Sequence, residues 1–148
     1  MDQEELDEQV RRHVYEVALS TGAPPTVSAL SASLRLARDE TEASLRRLAD
    51  AHVLVLQPER PEILMAAPFS AVPTSFHVRT AEYSCFANCI WDALGIAAML
   101  HGDVRIDTSC QDCGGPMSVE VRAGAVSAEG LVHFAVPAKE WWADIVFT

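Results

Sequence analysis

The sequence predicts an α+β fold, in which an N-terminal three-helix, winged-helix-like module packs on a mixed β-sheet core with a central buried helix. Three patterns lead to this prediction. Apolar residues recur at helical spacing over residues 4–51, a long apolar stretch spans Tyr83–Leu100, and apolar and polar residues alternate from Val104 onward. We divide the chain into residues 1–68, the helical module, and residues 69–148, a core carrying a Cys/Asp site, with one compact domain as the alternative.

The N-terminal module contains three predicted helices and a hairpin. Residues 4–20 form the first amphipathic helix, and Thr26–Leu34 form a second, shorter one. Asp39 caps a third helix, Glu40–Ala51, and two strand-like runs around a polar, proline-containing turn follow in residues 53–68. Three helices followed by a hairpin is the order of elements in a winged helix-turn-helix.

A winged helix can bind DNA, or it can serve only as a packing module. The would-be recognition helix, Asp39–Asp50, carries four acidic and two basic side chains, and its N-terminal turn is the acidic end. The whole chain has a formal net charge of -10, whereas nucleic acids and anionic membranes demand a basic face. We therefore favour a packing module and predict no nucleic-acid or membrane partner, although a dimer could still bring Arg46 and Arg47 to phosphates.

The apolar stretch Tyr83–Leu100 predicts the buried helix, and three of its side chains share one helical face. Cys85, Cys89 and Asp92 stand at i, i+4 and i+7. A buried carboxylate costs free energy unless it has a partner or a task. The partial positive charge of the helix N-terminus also favours the thiolate form of Cys85 or Cys89.

A thiol and a carboxylate one helical turn apart suit proton transfer and soft-metal binding. Asp92 can accept the proton of Cys89, ligate a soft cation beside it, or deliver a proton to a group on the same metal. In the alternative, the cysteine packs as a small hydrophobic residue, and Asp92 is satisfied by a backbone N–H or by an arginine such as Arg79 or Arg105. Spacing alone favours this structural alternative.

A second pair of cysteines, Cys110 and Cys113, stands in the sequence CQDCGG. A C-x-x-C-G turn aims two thiols at one metal, and Cys85 and Cys89 could complete a four-thiolate zinc site. The alternative is a hairpin turn whose cysteines are incidental or structural. The sequence favours the two interpretations equally.

The C-terminal part alternates with period two and predicts a series of strands. They are Val104–Thr108, Met117–Val121, Leu131–Val136 and Asp144–Thr148, with a short helix or turn at residues 137–142. The last strand stays apolar up to the final residues, whereas chain ends normally lie in polar segments. We therefore expect the chain to be cut short there.

Composition and the N-terminal residues predict a cytoplasmic location. No apolar run reaches the roughly 18 residues that a membrane span needs. The acidic N-terminus is unlike a secretory signal peptide. In the reducing cytoplasm, the four cysteines are expected to be free thiols or metal ligands rather than disulfides.

The core contains motifs that resemble the organomercurial (alkylmercury) lyase family. They are the stretch Cys89-Ile90-Trp91-Asp92-Ala93-Leu94, then Asp107-Thr108-Ser109-Cys110, and Gly115-Pro116. The resemblance spans most of the chain and is clearest from Phe76 to Val121. It implies a winged-helix-like module packed on a mixed β-sheet core.

The resemblance also implies an activity. Cys89 matches the first catalytic cysteine of the family and Asp92 its catalytic aspartate, and both would hold mercury, while Cys110 matches a structural cysteine. In that family two thiols take the mercury, and the aspartate passes a proton to the departing carbon. The implied partners are an organomercurial compound or soft metal ion and small cellular thiols, no cofactor is required, and the implied role is detoxification.

The chain departs from the family pattern at one position. The second catalytic cysteine should follow the strand matched by Asp144–Thr148, and the sequence has no residue there. We therefore expect a shortened form or a divergent member, in which Cys85 could stand in and cleavage would be less efficient. Two alternatives remain open: a heavy-metal-binding or metal-responsive winged-helix regulatory protein without lyase turnover, and a protein with a structural four-cysteine zinc site.

Overall fold

The computed structural model describes residues 1–146. Its helices are α1 (Gln3–Thr21), α2 (Val27–Leu34), α3 (Arg38–Asp50) and α4 (Ile90–Leu100). Its strands are β1 (Val55–Leu56), β2 (Ile63–Ala66), β3 (Phe69–Ser70), β4 (Phe76–Arg79), β5 (Ser84–Ala87), β6 (Val104–Ser109), β7 (Pro116–Arg122) and β8 (Ala125–Ser127). A 3-10 helix, Ala138–Ala143, follows β8. Within the described range, no helix has the length and hydropathy that a membrane span requires.

The first two helices confirm their predictions. At the start of α1, the Glu5 N–H donates to Asp2 Oδ1 at 2.9 Å, and the Asp2 N–H donates to Glu5 Oε2 at 3.1 Å. The helix ends at Gly22, whose φ of 84° is the left-handed conformation that glycine adopts most readily. Thr26 caps α2 by accepting a hydrogen bond from the Ala29 N–H at 3.2 Å.

The third helix is also confirmed, but its predicted cap is wrong. α3 begins at Arg38, so Asp39 lies inside the first turn. The Glu40 carboxylate instead accepts a hydrogen bond from the Ala37 N–H at 3.0 Å. Because a glutamate at the third helical position satisfies the backbone in this way, the helix can start without a polar residue before it.

The three helices and the first hairpin enclose one apolar core. Its buried members are Val10, Val14, Val27, Leu30, Leu45, Leu48, Leu54, Ile63 and Ala66. β1 and β2 pair antiparallel, as predicted, but β2 also pairs with β3, so the hairpin is continuous with the main sheet. The elements follow the order of a winged helix. Assignment to that class stays a prediction, as does the division of the chain at residue 68.

The sheet is antiparallel, so the prediction of a mixed sheet is wrong. In residues 1–146 its eight strands follow the order β1-β2-β3-β5-β4-β6-β7-β8, and every pairing is antiparallel. α4 connects β5 to β6, which run in the same direction, but β4 lies between them and is antiparallel to both. Against one face of this sheet lies a second core, formed by Ala18, Phe69, Val78, Cys85, Ala87, Ala93, Ile96, Ala97, Val104, Ile106, Val119 and Val121.

The stretch Tyr83–Leu100 is not one buried helix. Its first part is strand β5, which pairs with β3 on one side and β4 on the other, and the helix begins only at Ile90. Two neighbouring strands supply hydrogen-bond partners to β5, and this outweighs the apolar helical pattern. α4 is half-buried: it packs on β4 and β5, while Trp91 on its outer side is 59% exposed.

The C-terminal region differs most from its prediction. Leu131–Val136 is not a strand, and Leu131 is 99% exposed. Residues 144–146 form a turn rather than a strand, and the remainder of that predicted strand, residues 147–148, lies outside the described residues. The short helix is confirmed as the 3-10 helix. An apolar run becomes a strand only where a sheet edge pairs with it, and this segment instead contacts the rest of the chain through side chains such as Phe134 against Trp91.

Candidate active site

A two-residue junction, Asn88-Cys89, carries the chain from β5 into α4. Cys89 occupies the position just before the helix, with an extended backbone (φ −151°, ψ −178°). Its carbonyl accepts the first helical hydrogen bond, from the Ala93 N–H at 2.9 Å. The sequence C-x-x-D therefore stands where a capping box normally places Ser or Thr followed by Glu.

The junction brings the two predicted site residues together. The Cys89 thiol donates to Asp92 Oδ2, with 3.5 Å between sulfur and oxygen. Both residues are half-buried, so neither is sealed in the core. The pairing was predicted, but its origin differs, because Cys89 precedes the helix instead of lying within it.

Burial shapes the protonation of both groups. Burial raises the pKa of the Cys89 thiol. The backbone N–H groups of Asp92 and Trp91 lower this pKa, but their effect is smaller. Burial also raises the pKa of the Asp92 carboxyl, whereas the Asn88 amide and the Cys89 thiol lower it by a smaller amount. The backbone N–H groups at the helix N-terminus favour the thiolate of Cys89, as expected, but desolvation outweighs them and the pKa of the thiol lies above its ordinary value.

Cys85 belongs to the core and not to this site. It lies in β5, is only 3% exposed, and burial raises the pKa of its thiol to about 11. A Cβ at Gly22 would lie 2.8 Å from Cys85 Cβ, so the end of α1 presses directly on this residue. The predicted shared helical face of Cys85, Cys89 and Asp92 is wrong, because Cys85 lies in strand β5 and the helix begins only after Cys89. Among the described residues, Cys85, Cys89 and Asp92 are not grouped so that they could hold a metal ion together.

The arginines proposed as structural partners of Asp92 are engaged elsewhere. Arg79 pairs with Asp107 at 2.9 Å. Arg105 pairs with Asp107 at 2.9 Å and with Glu120 at 3.4 Å. These ion pairs cross the strands β4, β6 and β7. The structural alternative for Asp92 is therefore wrong in its named partners, and the closest polar groups to the carboxylate come from its own junction.

Sequence reasoning missed two residues near the pair. Both polar atoms of the Asn88 amide are buried without a hydrogen bond of regular geometry within the described residues, and the amide lies close enough to the Asp92 carboxylate to lower its pKa. Tyr15 on α1 is the second: its pKa is raised chiefly by burial and also by the charge of Asp92. Adjacency to Cys89 could have identified Asn88, whereas no local pattern could have identified Tyr15.

The four cysteines do not form one zinc site. Cys110 and Cys113 lie in the turn between β6 and β7, residues 110–115, here called the dithiol turn, whereas Cys85 is enclosed in the core. Among residues 1–146, no three or more His, Cys, Asp or Glu side chains are grouped so that they could hold a metal ion. The backbone N–H groups of Cys113 and Asp112 lower the pKa of the Cys110 thiol, as does the Cys113 thiol. The backbone of the dithiol turn thus favours the thiolate form of Cys110, whereas the surroundings of Cys89 favour the thiol.

Both cysteine sites lie at the same end of the sheet. β5 and β6 flank β4, and Ala87 of β5 pairs with Phe76 while Asp107 of β6 pairs with the next residue, His77. Cys89 follows the end of β5, and the dithiol turn follows the end of β6. Two strand spacings, about 10 Å in all, separate the two strand axes.

Comparison with known proteins places this geometry in a family context. Residues 69–148 match the family model described as alkylmercury lyase. Among the solved structures that match, the crystal structure of the mercury-bound form of MerB2 has a TM-score of 0.63 and 23% sequence identity, over 82% of this chain and 58% of that chain. At this identity the likeness shows a shared fold, and the chain spans little more than half of that protein. No curated protein matches the chain significantly.

Proposed function

The chain belongs to the alkylmercury lyase family, and from this membership we propose that Cys89 and Asp92 bind an organomercurial compound and cleave its carbon–mercury bond by protonolysis. One observation carries the proposal: the Cys89 thiol donates to the Asp92 carboxylate at 3.5 Å, at the start of a helix. A soft sulfur ligand and a proton carrier are thereby in direct contact.

The first step is exchange of thiols on mercury. The substrate arrives as an alkyl or aryl mercury thiolate, because small thiols bind organomercurials in a reducing compartment. The Cys89 sulfur forms a bond to mercury, its proton passes to Asp92, and the small thiol leaves as a thiolate. The raised pKa of Asp92 suits this step, because a carboxyl that holds a proton more tightly than usual is a better acceptor.

The second step is protonolysis. Asp92 delivers the proton to the carbon, the carbon–mercury bond breaks, and the hydrocarbon leaves. Mercury remains as Hg(II), bound by the Cys89 thiolate and the Asp92 carboxylate. Two small thiols then remove it as a dithiolate, which restores the Cys89 thiol and the Asp92 carboxylate and releases one proton. No cofactor enters this proposal.

Asn88 has a place in the same proposal. Its amide is buried beside Asp92 without a regular hydrogen bond. A polar group of this kind is available to hydrogen-bond to the carboxylate as its charge changes, or to a bound thiolate. We assign it the role of orienting Asp92.

The test is hydrocarbon release from phenylmercury acetate in the presence of excess small thiol. The full chain should produce benzene above the rate of thiol alone, and Cys89→Ser should reduce release to that background, because a hydroxyl binds mercury far more weakly than a thiolate does. Headspace gas chromatography measures the product. Cys85→Ala is the matched control: it also removes one cysteine, but one that faces the core, so release per folded protein should persist. Equal release by the unmodified chain and Cys89→Ser would refute the assignment.

The regulatory alternative receives no support from the surface of α3. Arg47 makes two hydrogen bonds to Asp7, at 2.7 and 2.8 Å, and both Arg38 and Arg46 pair with Glu42. Arginines neutralised by carboxylates are poor ligands for phosphates. We therefore propose that residues 1–68 pack against the core and bind no nucleic acid. Cytoplasmic location and a role in detoxification stay predictions.

A further inference from the structure

The dithiol turn holds two sulfur atoms on one short, well-braced loop. The Cys110 N–H donates to the Gly115 carbonyl at 2.8 Å, and the Gly114 N–H donates to the Cys110 carbonyl at 2.8 Å. Gly114 is left-handed, with φ 70°. A Cβ at Gly115 would lie 3.4 Å from Cys113 Sγ, so this sulfur lies over the glycine backbone. The turn is therefore preorganised, and its glycines leave room for the sulfur.

Both sulfurs are available to a ligand. Cys113 is exposed and Cys110 half-exposed, and both are free thiols. The backbone N–H groups of Asp112 and Cys113 face the Cys110 sulfur. Backbone donors of this kind stabilise a thiolate, which is the form of cysteine that binds metal.

The number of ligands identifies the kind of cation. In the part of the chain that the structure describes, no third His, Cys, Asp or Glu completes a cluster around these two sulfurs. Structural zinc requires four ligands in a tetrahedron. A soft cation that prefers two sulfur ligands in a line, as Hg(II) does, is satisfied by two thiolates alone.

We propose that Cys110 and Cys113 form a second soft-cation site, separate from Cys89 and Asp92, which binds Hg(II) as a dithiolate. Two mercury–sulfur bonds form and two thiol protons are released, so no oxidant or reductant is needed. Binding at this site does not depend on lyase activity. If the proposed function also holds, the turn is placed to receive Hg(II) from Cys89 by thiol exchange, because both sites lie at the same end of the sheet.

The test uses the full, reduced chain carrying Cys89→Ser, which removes the first site. This variant should bind one Hg(II) per chain in competition with a small monothiol, as measured by native mass spectrometry and by mercury–thiolate absorbance. Adding Cys113→Ser should weaken binding by roughly 10²-fold or more, because the second sulfur acts at high effective concentration. Adding Cys85→Ala instead should leave binding unchanged. Circular dichroism checks the fold of each variant.

A second measurement keeps the proposal falsifiable if a turn variant fails to fold. In Cys89→Ser, one equivalent of Hg(II) should protect both Cys110 and Cys113 from iodoacetamide. Any of three results would overturn the proposal: unequal protection of the two cysteines from iodoacetamide, equal affinity for Hg(II) with and without Cys113, or one tightly held zinc shared by two chains. Because the test is made in a variant without Cys89, its result is independent of whether the chain cleaves carbon–mercury bonds.

Discussion

The two cysteine sites at one end of the sheet have similar chemistry and opposite surroundings. Cys89 stands at the start of a helix, half-buried beside a carboxylate, and burial raises its pKa. Cys110 stands in an exposed turn, where backbone N–H groups lower its pKa. The difference shows that a favourable backbone position does not by itself produce a thiolate. Both sulfurs face backbone N–H groups, and desolvation with a nearby negative charge decides the outcome at Cys89.

The contrast divides the tasks that the two sites can perform. A thiol that keeps its proton next to a carboxylate is suited to chemistry in which that proton is used. Two thiols that reach solvent on one short turn are suited to holding a cation.

Asp92→Asn should strongly reduce turnover, whereas Hg(II) should still bind through the cysteine sulfurs although one proposed oxygen ligand is lost. The amide keeps the size of the carboxyl but cannot carry a proton, so benzene release from phenylmercury should fall by roughly 10²–10⁴-fold, the usual contribution of general acid–base catalysis. Cys89 and the dithiol turn still offer their sulfurs, so Hg(II) should bind.

The matched control for Asp92→Asn is Asp103→Asn. Asp103 is exposed and accepts a hydrogen bond from the Ala123 N–H at 2.8 Å, which an amide oxygen can also accept. Release by Asp103→Asn should equal that of the unmodified chain. If Asp92→Asn released benzene as fast as this control, Asp92 would not be the proton carrier.

The rate at which each cysteine is alkylated should depend on how buried it is and on the pKa of its thiol. With iodoacetamide at pH 7, Cys110 should react fastest, Cys89 more slowly and Cys85 slowest. For Cys85, a pKa of about 11 against the ordinary 9.0 reduces the thiolate fraction by about 100-fold, and burial slows access further. Peptide mass spectrometry over a time course measures each rate. A Cys89 that reacted as fast as Cys110 would contradict the contrast between the two sites.

Part of this arrangement could be predicted from sequence, and the successes share one cause. α1, α2 and the hairpin of β6 and β7 follow from local periodicity and from capping or turn residues, which act over a few positions. The pairing of Cys89 with Asp92 was predicted for the same reason, because their separation of three residues keeps them close in a helix. The start of the helix at Ile90 was not predicted, because Cys89 makes no side-chain capping hydrogen bond of the usual kind.

The failures depend on contacts between distant residues. Ser84–Ala87 contains no β-branched residue, so only its pairing with β3 and β4 makes it a strand. The antiparallel sheet follows from the insertion of β4 between β5 and β6, which strand patterns do not reveal. The charge of Asp92 raises the pKa of Tyr15 across 77 positions of sequence, a relation that no local pattern reveals.

The smallest expected effect concerns stability, and it connects the site to the fold. The folded-state pKa of Asp92 is raised above the usual 3.8, mainly by burial. The group therefore contributes stability that is fully present below the unfolded pKa and is lost as pH rises through the folded pKa. The amide in Asp92→Asn is neutral at every pH. The free energy of unfolding of this variant, minus that of the unmodified chain, should therefore increase from pH 3 to pH 7. Urea denaturation at both pH values measures the difference.

The direction of that change separates two roles for the carboxylate. A structural carboxylate paired with a cation has a lowered pKa, and replacing it costs stability most at neutral pH. A carboxylate retained for chemistry lies in surroundings that disfavour its charge. Replacing it increases the free energy of unfolding while removing activity. Asp92→Asn should therefore gain relative stability at pH 7 in the same variant that loses benzene release. A relative loss of stability at pH 7 would identify Asp92 as a structural partner and would leave the dithiol turn as the main soft-metal site of the chain.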